Sequence, residues 1–169
     1  MHRITNQRAS LTIDGVHFKI LEYYPFNKKW FSHKFKRAGI TYEIGCNVHT
    51  GDICWAFGGY PAGVSDLTME RQGILRVLPP TEIIIADKGY VGEGGNIISP
   101  ILERSHSFNK QHKVIMATHE HVNKRVKYCA CMSMVWRHGW KMHILAFYAV
   151  VSLTQINIEN GEPMSPSYT

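Results

Sequence analysis

Three acidic residues stand in three unlike surroundings. Asp14 lies in Leu11-Thr12-Ile13-Asp14-Gly15, and Asp87 follows Ile83-Ile84-Ile85-Ala86 and precedes Lys88-Gly89-Tyr90. Glu120 heads the run His121-Val122-Asn123-Lys124-Arg125-Val126-Lys127. The first two end short apolar runs of β type, and the third opens a basic helical stretch. Two strand-end aspartates and one helical glutamate make a donor set for a hard divalent cation such as Mg2+, which takes oxygen ligands and leaves room for phosphate oxygens. A pair of such ions can activate an attacking oxygen and stabilise a leaving oxygen at a phosphodiester. The chemistry this set suits is cutting or strand transfer on nucleic acid.

Each acid also has a plainer reading. Asp14-Gly15 is a common turn pair. Asp87 could simply begin a loop, although sites gather at strand C-termini in α/β sheets. Glu120 could be a solvated helix residue, but Asn123 and Lys127 fall at i+3 and i+7 on the same face. That face would offer one metal ligand, one hydrogen-bond donor and one phosphate contact. Asp66 is the rival acid; it reads as the N-cap of a helix over 67–78, with a supporting place near the site as the alternative. His119 and His121 point elsewhere on the helix of Glu120 and read as surface groups or as outer neighbours of the site. In the segment 23–37, Tyr23, Tyr24, Phe26, Trp30 and Phe31 interleave with lysines. Such a segment can stack on bases and contact phosphates. The aromatics are expected to cap the core, and Lys34 and Lys36 to contact DNA. Arg125 and Lys127 would hold backbone phosphates, which give affinity without sequence information.

The elements that must position these residues follow from periodicity. Residues 11–20 alternate and read as a strand, broken or turned at Asp14-Gly15. The stretch 21–38 reads as a loop with a short helix or turn. A hairpin follows, with strands over 40–48 and 53–57 around Thr50-Gly51-Asp52. Residues 58–63 read as a loop, 67–78 as a helix ended by Pro79-Pro80, and 82–86 as a buried strand. The glycine-bearing stretch 88–111 reads as a long loop. Two helices close the domain, over about 112–132 and 139–157, with Trp136, Trp140, Phe147 and most methionines as core. The fold class is therefore α/β, a mixed sheet with helices packed on it. The expected organisation is a polar lead over 1–10, one domain over 11–158 and a polar tail over 159–169.

Bulk properties agree with one packed domain. The chain has 169 residues, 44% hydrophobic and 11% aromatic, which suits a single core. Its net charge of +6 comes from 19 basic and 13 acidic residues and favours polyanionic partners. Cys46, Cys54, Cys129 and Cys131 form no Cys-x-x-Cys pair and fit no standard zinc spacing. They are expected to be reduced and mostly buried. The N-terminus lacks an apolar signal core, and the apolar stretch 144–153 is too short to span a membrane. A soluble, intracellular protein without membrane partners is the expectation.

The ordered motifs are similar to a known family. They run from Ile13-Asp14-Gly15, Pro25-Phe26 and Trp30-Phe31-Ser32-His33-Lys34-Phe35 through Tyr42-Glu43-Ile44-Gly45, Gly51-Asp52-Ile53-Cys54-Trp55 and Gly63-Val64-Ser65-Asp66. They continue with Ala86-Asp87-Lys88-Gly89-Tyr90, His119-Glu120-His121-Val122-Asn123-Lys124-Arg125-Val126-Lys127, Arg137-His138, His143 and Thr154-Gln155. The set resembles the catalytic domain of DDE-type transposases, nearest to the PIF/Harbinger group of DDE superfamily endonucleases. The resemblance implies an RNase H-like fold, and Asp14, Asp87 and Glu120 as a triad binding Mg2+ or Mn2+, with two ions. It implies cutting at transposon ends, joining of 3′-hydroxyls to target DNA, a nuclear location and action as a homodimer or a larger assembly. Thirteen residues precede Asp14, where the family carries an N-terminal DNA-binding region. A separate DNA-binding protein is therefore an expected partner, and the alternative reading is a remnant that binds DNA or a partner protein without cleaving.

Overall fold

The computed structural model describes residues 9–90, 97–99 and 106–161. Most of the polar lead and tail, and part of the loop expected over 88–111, lie outside the described residues. The chain begins with β1 (Ala9–Lys19), a 3-10 turn at Lys28–Trp30, the two-residue β2 (Phe31–Ser32), β3 (Arg37–Asn47) and β4 (Ile53–Pro61). Next come α1 (Asp66–Gln72), a 3-10 turn at Ile74–Arg76, β5 (Ile83–Ala86), a 3-10 turn at Lys88–Tyr90 and β6 (Ile97–Ile98). Three helices follow: α2 (His106–Tyr128), the short α3 (Ala130–Ser133) and α4 (Trp140–Glu159).

These strands form one mixed sheet. β1 lies at its centre, antiparallel to β3 on one side and parallel to β5 on the other. β4 and β2 pair antiparallel with the outer edge of β3, and β6 extends the parallel side beyond β5. An antiparallel start followed by a parallel strand reached through a helix, here β5 after α1, is the RNase H-like arrangement, and the α/β expectation holds.

Several local expectations change, each for a tertiary reason. β1 is not broken at Asp14-Gly15: Asp14 pairs with Ile44 and Gly15 with Glu43. With a partner on each side, ladder bonding outweighs the turn preference of Asp-Gly, since strand formation depends on neighbours more than on propensity. β4 runs through Gly58 and Gly59 to Pro61, where a loop was expected. The two glycines have φ of 126° and 95°, beside a register shift at Thr41/Tyr42. At this bulge β4 passes close to α4, and a Cβ on Gly59 would stand 2.6 Å from Ile144 Cδ1. The helix expected over 67–78 stops at Gln72, Gly73 interrupts it, and a 3-10 turn follows. Its cap is Ser65, whose hydroxyl accepts the Thr68 N–H at 3.2 Å, rather than Asp66. α2 starts at His106, six residues earlier than expected, and ends at Tyr128.

The core divides between the two sheet faces. On one, Val16, Phe18 and Ile20 of β1 join Ile40, Tyr42, Ile44 and Cys46 of β3 under Val122 and Val126 of α2 and Phe147, Val150 and Val151 of α4. Tyr42 and Phe147 stack with centroids 3.7 Å apart. On the other face Leu11, Ile13, Ile84 and Ala86 pack with Ile74 and Tyr90. Phe147 is core as expected, while Trp136 is half-buried and Trp140 is exposed. Met69 and Met132 are buried, but Met134 and Met142 are exposed. Of the cysteines only Cys46 is buried; Cys54, Cys129 and Cys131 are exposed, because they fall on the edge strand and at the α2–α3 corner. Among the described residues no helix is long and apolar enough to cross a membrane.

Two outcomes follow from this core. Phe147→Ala removes a fully buried ring from the middle of the aromatic cluster and should cost about 3–5 kcal/mol, read as a lower urea midpoint with unchanged slope. His143, buried against Tyr42 with its Nδ1 2.8 Å from the phenol oxygen, is held by burial down to about 4 from the ordinary 6.5. The unfolded chain therefore binds a proton below pH 6.5 that the folded chain refuses until about 4. The neutral ring's contribution is complete above pH 6.5 and is lost as pH falls toward 4. Between those limits stability of the wild type should fall more steeply than that of His143→Gln, by up to about 1.4 kcal/mol per pH unit. Urea titrations at a series of pH values measure the difference.

Candidate active site

Parallel pairing of β1 with β5 sets the two aspartates side by side. Ile13 stands opposite Ala86, so the next residue on each strand, Asp14 and Asp87, leaves the pair at the same level. β1 continues past this point while β5 ends, which makes Asp87 the first residue beyond the sheet and leaves it exposed. Strand alternation puts Thr12, Asp14 and Val16 on one face, and that face carries α2.

α2 docks on β1 through a polar stripe. His119 Nδ1 lies 2.9 Å from Thr12 Oγ1, and Asn123 Nδ2 donates to Asp14 Oδ2 at 2.8 Å. Four residues of helix rise about 6 Å and two residues of strand about 6.6 Å, so the i, i+4 pair on the helix meets the i, i+2 pair on the strand. Further up the helix, His112 Nε2 donates to Ala86 O at 2.8 Å and ties α2 to the end of β5. Thr12 donates its own hydroxyl proton to Cys46 O at 3.1 Å, so its oxygen must accept from His119, and His119 carries its proton on Nδ1. The ring is fully buried, its Nε2 has no hydrogen-bond partner among the described residues, and burial lowers its pKa to about 3. His119 was expected on the surface or at the outside of the site. Instead it is a neutral buried strut, while His121 is exposed.

Asp14, Asp87 and Glu120 line one cleft of about 450 Å3, with Lys34 reaching in from the turn after β2. The first half of α2 supplies the remaining wall through Asn109, His112, Lys113 and Met116. Asp14 is already engaged on both oxygens, since Oδ1 also accepts the Gly15 N–H at 2.9 Å. Glu120 is exposed and 4.0 Å from Lys124, a pair of little energetic weight. Three carboxylates around one opening are donors of the right chemistry for a hard cation. However, among the described residues no three His, Cys, Asp or Glu side chains stand close enough together to hold a metal ion.

Cationic residues gather beside the acids. Lys127 is half-buried; burial and then the Lys34 ammonium push its pKa down, while the Asp14 and Glu120 carboxylates push it back up. Burial, and then the charges of Lys34 and Lys127, take His17 down to about 4. Asn123, Lys34 and Lys127 thus gather around Asp14. Lys36 and Arg125 do not line the cleft. Lys36 sits exposed at the β2–β3 turn with φ of 56°, and Arg125 lies about 140° around the helix from Glu120. Asp66 opens α1, which packs beside the 3-10 turn following Asp87; its side chain lies outside the described residues.

Sequence reasoning missed Asn109, His112, Lys113 and Met116. Asn109 falls in the stretch read as a loop, and His112, Lys113 and Met116 fall at the start of the expected helix, ahead of the acidic and basic residues singled out there. The signal was present: counted back from Glu120, these positions keep helical spacing on its face.

The strut between α2 and β1 is open to a direct test. Thr12→Val keeps the shape but removes the acceptor of His119 Nδ1 and the donor to Cys46 O. Each buried group left unpaired costs about 1–3 kcal/mol, so chemical denaturation should show a loss near the sum of two such groups.

A family model for DDE superfamily endonucleases matches residues 13–154, most of the chain, and spans all three acids. Comparison with curated proteins and with solved structures gave no match. The matched span holds β1 from Ile13 onward, all of β2 to β6 and α2, and most of α4, and so includes every residue that lines the cleft. On this evidence the chain belongs to the DDE superfamily endonucleases.

Proposed function

We propose that the chain is a metal-dependent DNA endonuclease and strand-transfer domain of transposon origin, with Asp14, Asp87 and Glu120 as its catalytic and metal-binding acids. The observation that carries this reading is their convergence, from two adjacent strands and one helix, on a single cleft with Lys34. Mg2+ or Mn2+ held there, as two ions, would supply Lewis-acid activation of the attacking oxygen and charge neutralisation at the leaving oxygen. The protein's own part is positioning. Asn123 holds the Asp14 carboxylate in one orientation, and the backbone N–H of Gly15 holds its other oxygen. Lys34 and Lys127 offer positive charge to a DNA phosphate beside the acids, with Lys36 and Arg125 as contacts further along the backbone. Asp66 supports the site from α1 through its neighbour turn at Lys88–Tyr90. DNA is the substrate, and the nucleus is the place of action.

The spacing of the three acids favours a second reading, a domain that binds DNA or a partner protein without cutting. Like charges within one cleft repel, and no trio among the described residues stands at metal-holding distance. A cation that draws them together supports the first reading.

Supercoiled plasmid incubated with the purified chain and Mn2+ or Mg2+ separates the two. Nicking by the wild type is expected, with loss of at least about a hundredfold in Asp14→Ala, Asp87→Ala and Glu120→Ala, the scale on which removing a group that stabilises developing charge acts. DNA binding should persist in all three variants. Full nicking by Asp87→Ala would remove the triad assignment. Retained DNA binding with no nicking by the wild type would support the binding-only reading.

A further inference from the structure

α4 is apolar on two opposite faces. One face carries His143, Phe147, Val150, Val151, Thr154 and Ile158 into the core. The other leaves Met142, Leu145, Leu153 and Ile156 at 57%, 64%, 60% and 50% exposure. Helices that are apolar all round are usually buried all round, and a contiguous exposed apolar patch marks an interaction surface. At 3.6 residues per turn the exposed residues form one stripe centred on Ala149, all within about 60° of it, and the core-facing residues lie on the far side.

The stripe reads the same in both directions. Counted out from Ala149, Ala146 faces Ser152, Leu145 faces Leu153, and Met142 faces Ile156. Small residues sit at the centre and large ones at the ends. In an isologous two-fold contact each residue meets its mirror position on the other copy, so here side chains of similar size would face each other along the whole stripe. The charges agree. Within α4 the only acidic or basic side chains other than histidine are Lys141 and Glu159. Both lie on the same flank of the stripe, about 80° from Ala149. In an antiparallel pair each Lys141 comes within about 3 Å of axial rise of the partner's Glu159. In a parallel pair each Lys141 would lie level with the partner's Lys141, and neither end would gain an opposite charge.

We infer that α4 is a self-docking surface that pairs antiparallel with the same helix of a second copy of this chain, about a two-fold axis at Ala149. The interdigitating leucines supply the apolar contact, Ala149 and Ser152 let the two backbones approach, and the terminal charges fix direction. Nothing in this pairing depends on what the cleft does.

Sedimentation equilibrium of the full chain over a concentration series gives the first test. The wild type is expected to be a dimer, Leu145→Glu a monomer with an unchanged circular dichroism spectrum, and Lys141→Glu a weaker dimer restored by adding Glu159→Lys. Ala149→Cys, made with Cys54, Cys129 and Cys131 changed to Ser, fixes the register. Oxidised glutathione should convert it to a disulfide-linked dimer by thiol–disulfide exchange, releasing reduced glutathione. Ala149 is exposed and small, so this variant carries the test even if Leu145→Glu does not fold. A wild type that stays monomeric, a dimer that survives Leu145→Glu, or an Ala149→Cys chain that takes up glutathione without cross-linking would overturn the pairing.

Discussion

The fixed point of this structure is the lateral register of α2 on β1. It is set by two hydrogen bonds spaced alike on helix and strand, His119 to Thr12 and Asn123 to Asp14. Apolar packing through Val122 and Val126 glues the helix to the sheet, but such packing is non-directional and leaves sliding and rotation weakly specified. The polar pair removes that freedom. A slide of one turn would strand the buried His119 and Asn123, and unpaired buried polar groups are costly. Glu120 inherits its place beside Asp14 from this lock. His112 adds a third tie, to the last carbonyl of β5, so both aspartate-bearing strands are referenced to one helix.

The same economy shows in the electrostatics. Neutral buried histidines are suited to this task because they hydrogen-bond without bringing charge near carboxylates that already repel each other. Burial keeps His119 and His143 uncharged through the physiological range. The positive charge the cleft needs comes instead from Lys34 and Lys127, which reach in from the periphery and stay close enough to solvent to remain hydrated.

The strands leading to Asp14 and Asp87, the hairpin over 40–57 and the last helix were legible in the sequence, because alternation and helical spacing are local signals. What was not legible depended on long-range pairing. Asp14-Gly15 reads as a turn until β3 and β5 are known to flank it. Gly58-Gly59 reads as a loop until the close approach of Ile144 is seen. His119 reads as a surface residue because its partner, Thr12, is more than a hundred residues away. The start of α2 was lost because glycine-rich sequence upstream drew the boundary too far along the chain. The separation of the acids at rest has no sequence signal, since spacing along the chain says which side chains converge but not how closely.

The parallel pairing of β1 with β5 also has a kinetic consequence. The two strands are separated by the whole β2–β4 hairpin system and α1, and closing so long a loop must precede any reward from the new contacts. The antiparallel strands β1, β3 and β4 can form earlier, through short connections. Asp87 then joins Asp14 only when β5 docks, and Glu120 only when α2 closes over both. A chain emerging from the ribosome therefore carries its acids apart until both β5 and α2 have docked, and the cleft cannot exist before then.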